Sequence, residues 1–158
     1  MTIEVLAHTG QWMTMLVPAQ FACGDDALKS LLASEVLASL NIDQGIKDNF
    51  LSAVREVLWN AIEHGGKLNP GKLIRIDLLH SNRAMSCFVK DPGAGFHPTE
   101  MLHAAINNPP DNAVRHALLR EEAGLRPGGY GILLAGNFVD ELIYNEHGNE
   151  VLLVKYLL

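Results

Sequence analysis

The alternation of apolar and polar positions divides the chain into elements before any residue is given a role. Ile3, Val5 and Ala7, then Trp12, Met13, Met15 and Val17, mark two short strands at 2–8 and 11–17 that turn at Thr9-Gly10. Leu28, Leu31, Leu32, Val36 and Leu40 keep helical spacing after Gly24-Asp25-Asp26, with Asp25 or Asp26 as the expected N-cap. The break Asn41–Gly45 precedes a second helix. Its stripe of Phe50, Leu51, Val54, Val57, Leu58, Ala61 and Ile62 recurs at steps of three and four, and it ends at Gly65-Gly66, where a left-handed cap is expected.

After the turn Asn69-Pro70-Gly71, the runs Lys72–His80 and Ala84–Lys90 read as a hairpin joined by Ser81-Asn82-Arg83. A third apolar helix is expected over Ile132–Asp140. Strands at Glu141–Asn145 and Glu150–Leu157, turning at Glu146–Asn149, close the chain. The order strand, strand, helix, helix, strand, strand, helix, strand, strand predicts an α+β two-layer sandwich. Between Asp91–Phe96 and Gly128–Gly131 the periodicity fades. Residues 97–127 carry a Pro109-Pro110 break and charges at Arg115, Arg120, Glu121, Glu122 and Arg126, the marks of a lid.

Composition narrows the class. A chain of 158 residues suits one domain, 1–158, and 48% hydrophobic with 19% charged residues describes an ordered globular one. A formal charge of −6 argues against non-specific nucleic-acid binding, so any phosphate site must rest on backbone amides, helix ends and a metal ion. Cys23 and Cys87 lack disulfide or metal spacing and read as reduced, buried thiols. The N-terminus lacks the pattern of a signal peptide and no apolar run approaches a membrane span, so a cytoplasmic protein is expected.

Four groups of residues are candidates for chemistry. Glu56, Asn60 and His64 fall four apart along the edge of the second helix's stripe. Alone, such a line is what a solvated helix edge looks like; functionally, the Asn60 carbonyl is a metal ligand and Glu56 a carboxylate able to take a hydroxyl proton. Asp91-x-Gly93-x-Gly95 follows a strand. It is ordinary turn chemistry, or else a backbone that lets a ligand approach while Asp91 accepts from an exocyclic amine. Gly129-Tyr130-Gly131 opens a helix, as a cap or as an anion site. The histidines form no zinc spacing, and neither a P-loop nor a Rossmann fingerprint is present.

Taken in order, these motifs resemble the nucleotide-binding domain shared by gyrase, heat-shock chaperones, histidine kinases and mismatch-repair ATPases. Glu56–Asn60 matches its N box, Asp91–Gly95 its first glycine box and Gly129–Gly131 its second. Asn60–Gly65, Asp91–Phe96, Gly128–Ile132 and the tail Val139–Asn145 with Gly148–Val151 look most like the bacterial anti-sigma-factor serine/threonine kinases. A sensor histidine kinase would carry a dimerising helical segment with a phosphoacceptor His before the N box, where this chain has about fifty residues whose first part reads as strands.

The resemblance implies a mixed sheet covered by helices on one face, with ATP and Mg²⁺ as cofactors. It implies that Asn60 holds Mg²⁺, Glu56 acts as general base toward a partner's Ser or Thr, and Asp91 reads the adenine amine. Gly93 and Gly95 would shape the pocket, Gly129 and Gly131 would give amides to the phosphates, and Arg126 would neutralise transferring charge. Implied partners are a small antagonist protein carrying the phosphorylated residue, a sigma factor or other regulator, and a second copy in a homodimer, through the N-terminal strands. Neither nucleic acid nor membrane is an implied partner. Trp59 departs from the pattern, standing where family members often have a small hydroxyl residue. It faces away from the apolar stripe on the helical wheel, so a lid, dimer or partner contact is expected of it. Two other readings stay open: a nucleotide-dependent binding switch with little or no kinase activity, and an α+β domain that binds no nucleotide.

Overall fold

The computed structural model describes residues 1–95 and 131–157. Six strands form one sheet in the order β1-β2-β3-β4-β6-β5: β1 Glu4–His8, β2 Trp12–Pro18, β3 Leu73–His80, β4 Ala84–Lys90, β5 Glu141–Tyr144 and β6 Glu150–Tyr156. Every pairing is antiparallel. The two-layer α+β fold therefore stands, with an antiparallel sheet among the described residues in place of the expected mixed one. The reason is local: β1–β2, β3–β4 and β5–β6 are each joined by a short turn, which only antiparallel neighbours allow.

One face of the sheet is the core. Met15 and Val17 of β2, Ile74, Ile76 and Leu78 of β3, Met85, Cys87 and Val89 of β4 and Leu153 of β6 are buried there. The helices α1 (Phe21–Leu32), α2 (Glu35–Ala38), α3 (Gln44–Asn60) and α4 (Gly131–Phe138) pack over this face. From α3 and the turn after it, Phe50, Val54, Leu58 and Ile62 are fully buried, each stabilising the fold by about 1.5–3 kcal/mol. Both cysteines are buried and free, as expected, and burial pushes the Cys87 thiol far up. The opposite face carries exposed Trp12, Leu73, Leu79, Ile143 and Tyr156. At its centre Asp77 accepts from Thr14 (2.5 Å) and Arg75 (2.8 Å). Burial pushes the Asp77 carboxyl up, but these hydrogen bonds outweigh it and hold the group below the usual range.

Three expectations are corrected. The first helix begins at Phe21, not at Asp25 or Asp26, with Gln20 as its N-cap. Gly24 is an interior packing residue: a β-carbon there would come within 2.8 Å of Ile62 and 2.9 Å of Trp59. Nor does that helix run to Leu40. It stops at Ala33, because the buried Ser34 hydroxyl donates back to the Leu31 carbonyl (2.6 Å) and accepts from the Leu37 amide to cap α2. Finally, α3 does not end in a left-handed glycine. It widens into a π turn over Ala61–Gly65, sealed by the Gly66 amide on the Ala61 carbonyl (2.7 Å), and Gly66 keeps right-handed φ (−81°). The left-handed positions are Lys67 (φ 53°) and Leu68 (φ 54°), at a cost of about 1–2 kcal/mol each.

Trp59 does not serve the surface expected of it. It is buried, stacked on Phe21 of α1 with ring centroids 5.6 Å apart, while the exposed Arg55 guanidinium lies 4.9 Å from its ring. A helical wheel sees one packed face. Here α3 has two, the sheet on one side and α1 on the other. The lid expected at 97–127, Arg126 and Gly129 lie outside the described residues, whereas Gly131 is the first residue of α4, which packs along α3.

Candidate functional site

A cavity of about 290 Å³ opens where the end of α3 meets the ends of β4 and β6. Val57, Asn60 and Ala61 supply its helical wall, and the loop Asp91–Gly95 supplies a second. Val89 and Val151 make an apolar floor, with Tyr144 and Asn149 beside it. Lys67, Lys72 and the exposed His64 stand around the same space. A concave slot where an apolar floor meets converging polar groups is a common form of small-molecule site, and this volume lies just below the roughly 300–1,000 Å³ range.

Close packing of glycine puts a carboxylate into the cavity. Asp91 follows β4 and is buried, its Oδ1 accepting from the Gly93 amide at 2.8 Å. A β-carbon on Gly65 would overlap the Asp91 carboxyl group, and one on Gly93 would lie 2.8 Å from Gly65 Cα and 2.9 Å from Asp91 Oδ1. Gly66 is equally constrained, against the Ala19 side chain. The π turn therefore ends in two glycines because the backbone must pass within contact of Asp91 and Ala19. Burial raises the Asp91 carboxyl above its ordinary range, with the Gly93 hydrogen bond pulling the other way. Burial also raises the Tyr144 phenol, helped by the charge on Asp91, so Tyr144 stays protonated near neutrality.

The structure brings Asn60, Asp91, Gly93 and Gly95 around one cavity. Asn60 is buried, so the line Glu56–Asn60–His64 is no solvated edge: it passes from half-buried Glu56 through buried Asn60 to exposed His64. Glu56 sits one turn before Asn60 on α3 and is not among the residues lining the cavity. Tyr144, Asn149, Lys67 and Lys72 carried no role in the sequence. Tyr144 and Asn149 lie in the tail Val139–Val151 whose pattern was legible, but their approach to Asp91 depends on β6 pairing with β4, with Lys90 opposite Glu150.

The donor set fits an adenine nucleotide with a hard cation. A buried carboxylate beside an apolar floor suits an exocyclic amine, and the Asn60 carboxamide is the kind of neutral oxygen ligand that Mg²⁺ takes. Among the described residues, no helix is long and apolar enough to cross a membrane.

An α+β sandwich with a cavity between a helix end and a glycine loop is the arrangement of a small-molecule-binding domain. The family model of the histidine kinase-like ATPase domain matches residues 27–155, and the chain belongs to that family. It is thus an ATP-binding domain of the kind used in ATP-dependent kinases and ATPases. A search of curated proteins finds no match.

Proposed function

We propose that the protein is an ATP-dependent serine/threonine protein kinase of the anti-sigma-factor type. It phosphorylates a small antagonist protein and, when not engaged with it, sequesters a sigma factor or comparable regulator in the cytoplasm. The observation that carries the nucleotide part is the Asp91 carboxylate, held inside the cavity by Gly65 and Gly93. It accepts from the adenine amine, and Val57, Val89 and Val151 enclose the base. Asn60 would hold Mg²⁺, which when bound would offset the phosphate charge of the ATP that donates the phosphoryl group. Glu56 takes the proton of the attacking hydroxyl from one turn away on the same rigid helix. The amide of Gly131, at the start of α4, binds phosphate together with that of Gly129, and Arg126 offsets the transferring charge.

A homodimer joined through the N-terminal strands belongs to the same reading. Val5 and Leu6 on edge strand β1, and Trp12 on the sheet face away from the helices, are between 41% and 51% exposed. Apolar side chains exposed on an edge strand and an open sheet face favour pairing with a second copy.

One observation favours a second reading, a nucleotide-dependent binding switch with little phosphoryl transfer: Glu56 does not line the cavity. A single experiment separates the two. With labelled ATP, Mg²⁺ and an antagonist encoded nearby, wild type transfers phosphate, and Glu56→Gln binds ATP within about twofold of wild type while transferring about 10²–10⁴-fold more slowly. Tight ATP binding with no transfer to any candidate antagonist sinks the kinase and leaves the switch. Unchanged nucleotide affinity in Asp91→Asn and Asn60→Asp sinks the pocket itself.

A further inference from the structure

The turn between β5 and β6 has more hydrogen bonds than a hairpin needs. Asn145 Oδ1 accepts from the amides of Asn149 (3.0 Å) and Glu150 (3.1 Å), and Asn145 Nδ2 donates to Asn149 Oδ1 (2.8 Å). Asn149 then leaves the hairpin. Its Nδ2 donates to the Gly93 carbonyl (3.3 Å), and its backbone carbonyl accepts from the Asp91 amide (2.9 Å). The loop that carries the cavity's carboxylate is thus held at two points by one residue 56 positions away from Gly93.

The chemistry permits only one arrangement of these carboxamides. Backbone amides can only donate, so Asn145 must turn its oxygen to them and its nitrogen to Asn149. The Gly93 carbonyl can only accept, so Asn149 must turn its nitrogen to it and its oxygen to Asn145. The backbone is fitted to the same contact. Gly95 has φ +86° and lies so close to the His147 carbonyl that no β-carbon fits between them, and Gly148 closes the turn at φ 73°. Tyr144, the last residue of β5, lines the cavity beside this clamp.

We propose that Asn149, oriented by Asn145, is the positioning residue for base selection. It sets where the Asp91 carboxylate meets the base, so the preference for ATP over GTP depends on it. Adenine carries an amine donor where guanine carries the O6 acceptor, and a carboxylate held in register accepts from the first and repels the second. The proposal rests on the ATP reading of the cavity, so the wild-type protein is the first arm of its test.

The affinities of ATP and GTP are measured by calorimetry with Mg²⁺ for wild type, Asn149→Asp and Asn145→Asp, alongside melting temperatures. Asn149→Asp keeps the size of the side chain and loses the donor to Gly93. Asn145→Asp keeps the acceptors for two amides and loses the donor to Asn149. Wild type prefers ATP; Asn149→Asp weakens ATP about tenfold and leaves GTP within about twofold, the scale of one hydrogen bond. Asn145→Asp shifts the preference in the same sense by less, and carries the test alone if the other variant does not fold. A lower melting temperature with an unchanged ATP:GTP ratio overturns the proposal, because the turn is then only structural. Equal weakening of both nucleotides overturns it too. If wild type binds ATP with no preference, base reading by Asp91 falls together with its positioning, and if it binds neither nucleotide, the ATP reading itself is wrong.

Discussion

Gly65 packs against the Asp91 carboxyl so closely that any β-carbon at position 65 would share its space. One residue ends the π turn after α3 and the other follows β4, so this contact joins the helical layer to the sheet at the cavity wall. Gly65→Ala must therefore displace the carboxylate or the turn. Overpacking of this kind costs roughly 1–3 kcal/mol. ATP affinity by calorimetry is expected to fall about tenfold or more, and wild-type affinity in this variant would show that Asp91 does not contact the nucleotide.

Asp91 sets site and stability against each other. Burial raises its carboxyl, so the folded protein holds this proton to higher pH than the unfolded chain. The stability linked to the group is present at low pH and falls as pH rises from the ordinary carboxylate range through the raised folded value. At pH 7 the charged form is thus a burden on the fold. Asp91→Asn, whose Oδ1 still accepts from Gly93, is expected to melt above wild type at pH 7 while binding ATP more weakly. The thermal margin should narrow as pH falls into the carboxylate range. A variant that melts below wild type at pH 7 would contradict this account.

Trp59 secures α1 to α3, and Gly24 is the space it needs. Gly24→Val pushes methyl groups toward Ile62 and Trp59, which already lie 2.8 and 2.9 Å from where a β-carbon would be. A loss of roughly 1–3 kcal/mol is expected in denaturant melts, with ATP affinity retained under folding conditions. Loss of partner binding without loss of stability would return Trp59 to a surface role.

The N-terminal strands carry the proposed dimer contact. Leu6→Asp combined with Trp12→Asp places charge on two of the most exposed apolar side chains of β1 and β2. Sedimentation velocity is expected to show a dimer for wild type and a monomer for the double variant. A wild-type monomer would refute the assembly.

Much of this was legible in the chain. The strand pairs β1–β2 and β3–β4 are legible as period-two alternation around short turns, and α3 as a stripe at 3.6 spacing of which all but the partly buried Leu51 enter the core. The misjudged positions share a cause. Gly24 reads as part of a helix start and Gly66 as a left-handed cap, whereas each is small for a neighbour's sake: Trp59 and Ile62 in one case, Ala19 in the other. Trp59 was placed by a wheel that allows α3 one partner. Asn149 was invisible for a different reason. Its bond to Gly93 exists only because β6 lies beside β4, and the order of strands in a sheet is not written in their periodicity.

The π turn gives α3 two different pitches. Up to Asn60 each residue advances about 100° around the axis; beyond it the Ala61–Gly65 turn is wider, and the Gly66 amide reaches five residues back to Ala61. Substitutions along α3 leave this phase untouched, but a change in length does not. Deleting one residue between 61 and 65 would let the segment relax to an ordinary α-helix with a more favourable backbone ladder. It would also rotate Gly65 off Asp91 and swing Gly66 from Ala19. The pocket's geometry is held in a count of residues, and the chain tolerates a poorer helix to keep that count.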